Sequence, residues 1–135
     1  MPTMASITVK KKDGTTDIVY DALSASGGED SPAVWRQDTG AASTLPVGFR
    51  NLFRLWSAWN KPRTARVMRF HIVMPFVTTD YFGAAASKDR VVFEGSVVIP
   101  QAIPSSNIGE AVYQGLNLLG STLMKQSSDA GYAPN

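Results

Sequence analysis

Six basic side chains and the only histidine of the 135-residue chain fall in one stretch without a carboxylate. Between Thr39 and Thr79 lie Arg50, Arg54, Lys61, Arg63, Arg66, Arg69 and His71, and neither aspartate nor glutamate. The rest of the chain holds seven basic and eleven acidic residues, so a formal net charge of +2 conceals a cationic segment beside an acidic remainder. Separation of this kind is the footprint of a surface that meets a polyanion. Its alternative is a solvated basic face with no partner.

Other chemistry finds little support. With no cysteine there is no disulfide, thiol nucleophile or thiolate zinc site. A zinc site built on His71 would need two or more carboxylates beside it. His71 as a general base has no nucleophile at a diagnostic spacing, and Asp80, Asp89 and Glu94 fall in no pattern of paired catalytic carboxylates. Phosphate-loop, dinucleotide, nucleophile-elbow and H-E-x-x-H motifs are all missing from the sequence. The expectation is a protein that is not an enzyme, with no catalytic residue, metal site or cofactor. No run approaches 18 consecutive apolar residues, and the Met-Pro-Thr-Met-Ala-Ser start lacks a basic then apolar pattern. A soluble cytoplasmic product without a membrane partner is therefore expected.

These residues need elements to position them. Ile7–Lys10 and Thr16–Tyr20 flank Asp13-Gly14, a hairpin signal that predicts a two-residue turn with φ > 0 at both central positions. Ser24–Pro32 and Gly40–Pro46 have loop composition, with a short strand, Ala33–Arg36, between them. Phe49–Trp59 is ambiguous. Phe49, Leu52, Phe53 and Trp56 have helical spacing, while Phe49, Phe53, Leu55 and Trp59 share one face of a strand and Arg50, Arg54 and Trp56 the other. Aromatic content and the flanking Gly48 and Pro62 favour the strand. Val67–Met74 alternates cleanly, with Arg69 and His71 on the polar face, and Pro75 is expected to end it. Residues 76–89 have the composition of a long inter-strand loop. In Arg90–Ile99, Val92, Glu94, Ser96 and Val98 share a face. Ile108, Val112, Leu116, Leu119 and Leu123 follow helical spacing, with Asn107 and Glu110 placed as a capping box and a break expected near Gly120.

One domain over residues 1–135 is expected from the length: a hairpin (1–23), a main sheet (33–99), a helical region (107–126) and a polar tail (127–135). An apolar helix stripe and an apolar sheet face must be buried together, which makes the fold α+β in two layers. The opposite sheet face, carrying Arg69, His71, Ser96 and, by alternation, Arg50 and Arg54, is a platform suited to RNA or single-stranded nucleic acid.

The order of features resembles a coat (capsid) protein of the single-stranded RNA bacteriophages, levivirus type. The matching pieces are the Lys12-Asp13-Gly14 hairpin, the Lys61-Pro62-Arg63 turn, the basic strand Arg66–Met74 followed by Pro75, and the long segment to Asp89. The strand ending Val98-Ile99-Pro100 and the Tyr113-Gln114-Gly115-Leu116 helix complete the order. The resemblance covers nearly the whole chain and rests on order and spacing, not on one motif. It implies an N-terminal β-hairpin, a five-stranded antiparallel sheet and a C-terminal helical hairpin. It also implies an interlocked homodimer whose two sheets join edge to edge, and an icosahedral shell around single-stranded RNA. By the same resemblance the protein is a virion component, assembled in the cytoplasm of a bacterial host, that represses translation by binding an RNA hairpin.

The RNA-binding residues expected from face and resemblance together are Arg50, Arg54, Arg63, Arg69, His71, Glu94 and Ser96. Counting back from Pro75 puts Arg69 and His71 on the family's RNA-contacting positions. Counting back from Ile99-Pro100 puts Val92 and Glu94 where some members carry a base-stacking tyrosine and an adjacent polar contact, and Val92 cannot stack. Across residues 49–59 an ungapped count would put Phe53, Leu55 and Ser57 on the RNA face, whereas alternation puts Arg50 and Arg54 there. Burying two unpaired arginines against a core is costly, which favours the alternation. The competing expectation is a small, non-assembling RNA-binding regulator that uses the same sheet.

Overall fold

Alternation of apolar and polar residues resolves into six strands: β1 (Ile7–Lys10), β2 (Asp17–Ser24), β3 (Ala33–Arg36), β4 (Leu52–Trp59), β5 (Ala65–Thr79) and β6 (Ala85–Pro100). The computed structural model describes residues 2–135 and joins them, in chain order, into one sheet. The pairings of β1 through β5 are antiparallel. Two helices follow, α1 (Ser105–Leu119) and α2 (Thr122–Ala130). The expected α+β architecture is present, with six strands where five were expected. The hairpin strands β1 and β2 are continuous with the main sheet, because β2 pairs with β3 through Asp21–Arg36 and Ala22–Trp35, and residues 33–100 supply the other four strands.

Tyr20, Ala33 and Trp35 form the buried cluster, with Met4, Ile7, Ile18, Phe53 and Leu55 packed on it. Trp35 stacks on Phe53 with ring centroids 5.0 Å apart, and its indole N–H donates to the Ala5 carbonyl at 2.8 Å. The β3–β4 register explains why these side chains meet: Trp35 lies opposite Phe53 and Ala33 opposite Leu55, so all four share a face. β4 is therefore a strand, and its apolar face carries Phe53, Leu55 and Trp59.

Several local expectations need correction. The Asp13-Gly14 turn is not of the expected type, since only Gly14 has positive φ (75°). The loop is wider, closed by Lys11 N–H to Thr16 O at 2.9 Å, and Asp13 accepts from the Thr15 and Thr16 amides, each at 2.9 Å, and from the Thr16 hydroxyl at 2.6 Å. These bonds, the Thr16 hydroxyl first, hold the Asp13 carboxyl down at about 2. Pro75 does not end β5. The β4–β5 ladder closes at Leu52–Val73, so no partner on β4 requires the amide hydrogen that Pro75 lacks. Beyond it Phe76-Val77-Thr78-Thr79 stays extended, and the loop expected over 76–89 shrinks to Asp80–Ala84, whose amides at Phe82 and Ala84 donate to the Asp80 carboxylate.

The chain forms two compact units, one up to Val98 and one from Ile99 to Asn135. In the second unit α1 starts at Ser105 with Pro104 at its N-cap, so Asn107 lies inside the helix, and Glu110 accepts from the Gln114 amide one turn on at 2.6 Å. Gly120 caps α1, and the Ser121 hydroxyl accepts from the Met124 amide to start α2. α2 continues to Ala130, so the polar tail begins only at Gly131, in the left-handed conformation (φ 79°). Neither helix contains a buried residue, and neither is long and apolar enough to cross a membrane.

Candidate nucleic-acid interface

The β4–β5 register decides which cationic side chains can act together. Arg54 pairs with His71 and Trp56 with Arg69. Residues directly opposite in an antiparallel ladder share a face with their Cβ atoms about 5 Å apart, so these four form one patch on the face opposite the Trp35 cluster. Arg54 and Arg69 are exposed; Trp56 and His71 are half-buried.

β6 completes the patch. A Cβ built on Gly95 would come within 2.6 Å of the Phe70 ring, so Gly95 presents its front to the Phe70 side of the sheet. Its neighbours Glu94 and Ser96 therefore present to the Arg69 and His71 side. In agreement, Trp56, Arg69, His71, Glu94 and Ser96 line a shallow pocket of about 260 Å³. Among the described residues, no hydrogen bond or ion pair engages the side chains of Arg54, Arg69, His71, Glu94 or Ser96. Their donors and acceptors are free for a ligand.

The other cations are not brought to this patch. Arg50 precedes β4 instead of alternating within it. Its guanidinium donates to Asp38 Oδ1 at 2.8 Å, to the Leu45 carbonyl at 3.0 Å and to the Ser43 carbonyl at 3.2 Å, which ties down the 3₁₀ turn Gly40–Thr44. Asp38 also takes a two-pronged contact from Arg36, Nε to Oδ1 at 2.6 Å and Nη2 to Oδ2 at 3.0 Å. Arg36, then Arg50, hold the Asp38 carboxyl below the usual carboxylate range. Arg63 adopts φ 55° in the turn between β4 and β5, at the end of the sheet and away from the patch. Arg66 lies on the apolar side, 4.9 Å over the Trp59 ring and 2.9 Å from Glu29 Oε1. Acidic residues from before the carboxylate-free window thus neutralise Arg50 and Arg66, leaving Arg54 and Arg69 as its unpaired face arginines.

Trp56 is a further residue of this site, absent from the expected RNA-binding set although alternation places it beside Arg54. The base-stacking position implied by the family resemblance lies on β6, at Val92, which cannot stack. A tryptophan opposite an arginine in an open pocket can stack on a base and hold a cation near its π face. The arrangement offers one flat apolar wall, three cationic or protonatable groups, one carboxylate and one hydroxyl. No cluster of three metal-ligating side chains occurs among the described residues.

No protein-family model and no curated protein matches the chain. Solved structures do. The virus-like particle of Beihai levi-like virus 21 superposes at TM-score 0.80 with 12% identity, covering 99% of both chains. The virus-like particle of bacteriophage NT-214 gives TM-score 0.80 at 12% identity over 99% of this chain and 100% of that one. The chain has the phage coat-protein fold. The bacteriophage GA capsid protein shares it at TM-score 0.71 and 10% identity, over 96% of this chain and 95% of that one. The coat-protein fold here carries its unpaired arginines on the open face of β4, β5 and β6, while its apolar sheet face and both helices keep large exposed side chains.

Proposed function

We propose that the protein is a structural coat protein that dimerises, assembles into a closed shell and packages single-stranded RNA against the face of β4–β6. The observation that carries this reading is an unfinished chain with a phage coat-protein fold. β6 is the last strand of the sheet, paired on one side only, and Ala86–Ser96 are all exposed along it. Val91, Phe93 and Val98 on that strand are 57%, 44% and 59% exposed. Leu116, Leu119 and Leu123 keep 51%, 52% and 57% of their surface open.

A second copy is the occupant that fits. Antiparallel pairing of β6 with its symmetry mate satisfies both edges at once, as a two-fold interface requires, and each chain's helices then cover the other's sheet. The joined sheet presents two copies of the Arg54, Arg69, His71, Glu94 and Ser96 patch on one side, where arginines contact phosphates. As a virion component formed in a bacterial cytoplasm the protein would meet RNA at the moment of assembly, and the same face would serve in repression through a hairpin. The test is electron microscopy of the purified recombinant protein with sedimentation across dilution. Uniform closed particles, and dimers as the smallest folded species, are expected. A stable, folded monomer that forms no particles would overturn the reading.

A further inference from the structure

We propose that the pocket between Trp56 and Glu94 holds one unpaired guanine base of single-stranded RNA, a reading that rests on the RNA-binding function above. Phosphate contact explains Arg54 and Arg69 but not Glu94, which repels phosphates and yet lines the same pocket. Arg69 and Glu94 do not close on each other as an ion pair, and neither has another partner among the described residues. The lining thus combines a multiple donor, a two-oxygen acceptor and a flat indole in one pocket. At about 260 Å³ it lies below the size of sites for drug-sized ligands and suits a single planar ring system.

Guanine is the base whose edges answer both groups. Its Watson–Crick edge carries adjacent N–H donors at N1 and N2, which a carboxylate accepts with both oxygens, as Glu94 can. Its Hoogsteen edge carries the N7 and O6 acceptors that arginine grips in two-pronged fashion. Adenine presents one donor group, cytosine one and uracil one, so each leaves a Glu94 oxygen without a partner. Trp56 supplies stacking that any base can use. Selectivity therefore belongs to Glu94 and Arg69, and general affinity to Trp56.

The experiment uses the full chain and four fluorescently labelled RNA heptamers, all uridine or uridine with a central guanine, adenine or cytosine, titrated at low and moderate salt. Guanosine monophosphate is titrated in a parallel arm. The guanine heptamer is expected to bind about tenfold more tightly than the others, the discrimination typical of one two-pronged base contact. Glu94→Gln should abolish that preference while leaving or strengthening binding of the other three, because a repulsive charge is lost. Trp56→Ala should weaken all four about tenfold, and Trp56→Phe, which keeps an aromatic face and the packing, should restore most of that affinity. Equal binding of all four heptamers, still steeply salt-dependent, would overturn the guanine pocket and leave the RNA face intact. Binding of the monophosphate as tight as that of the guanine heptamer would assign the pocket to a free nucleotide instead of RNA. No salt-sensitive binding of any heptamer would overturn the underlying RNA reading itself.

Discussion

Arg50 and Arg69 were placed on the same face by alternation, and replacing each by alanine should have opposite consequences. Arg50 has a side chain 15% exposed and contributes three hydrogen bonds, one to the Asp38 carboxylate and two to the carbonyls of Leu45 and Ser43. Hydrogen bonds involving a charged group are each worth about 1.5–3 kcal/mol. They are not additive, and Asp38 keeps its two contacts to Arg36, so it is not left unpaired. The Ser43 carbonyl is at an exposed position where water can replace the guanidinium, and the Leu45 carbonyl is at a half-buried one. Arg50→Ala should therefore cost about 2–3 kcal/mol, near 10 °C in melting temperature for a chain of this size. Its effect on RNA affinity should be negligible. Arg69 is exposed and unpaired, so Arg69→Ala should change stability by no more than about 0.5 kcal/mol and lower the slope of log affinity against log salt by about one. The assay is chemical denaturation at one fixed protein concentration, because stability of an associating chain depends on concentration, together with RNA titrations at several salt concentrations. If Arg50→Ala keeps full stability and reduces the salt slope, Arg50 contacts RNA and the reasoning from its three partners is wrong.

Gly95→Ala places a methyl group 2.6 Å from the tip of the Phe70 ring. It should cost about 1–3 kcal/mol, the usual range for overpacking, and the double variant with Phe70→Leu should recover part of that loss in denaturation. The Asp13 carboxyl sits at about 2, below its ordinary 3.8, so its contribution to stability is complete above the ordinary value and is lost as pH falls from about 4 towards 2. Asp13→Asn should flatten the pH dependence of unfolding across that window while leaving the slope at neutral pH unchanged. Tyr81 and Phe82, 98% and 89% exposed at the turn between β5 and β6, contribute nothing to the core. Replacing both by serine should leave melting within about 0.5 kcal/mol of the parent while shifting the size or yield of particles seen by microscopy.

Periodicity along the chain was enough for the architecture and for the parity of the patch. Alternation over Val67–Met74 puts Arg69 and His71 opposite Phe70 and Ile72 whatever the strand pairs with, because the side-chain period of a strand is two. The same rule placed Arg54 and Trp56 together and Glu94 with Ser96, and helical spacing marked the leucine stripe that continues into α2. What the residues around them do was decided only in three dimensions. Arg50 and Arg66 lie in a stretch without carboxylates, yet Asp38 and Glu29 reach them because the loops on either side of β3 return to the ends of β4 and β5. Such pairing depends on chain closure over 12 residues for Arg50 and 37 for Arg66, which local spacing does not encode. The stop expected at Pro75 was a local rule too. It fails because β4 ends its ladder at Leu52–Val73, which removes the need for the missing amide hydrogen and lets β5 run on to Thr79. Composition over 76–89, rich in small residues, reads as a loop because strand propensity is weak there. The partner strand supplies the order instead, since a ladder satisfies backbone groups irrespective of side chain, and no pattern within either segment alone carries that information.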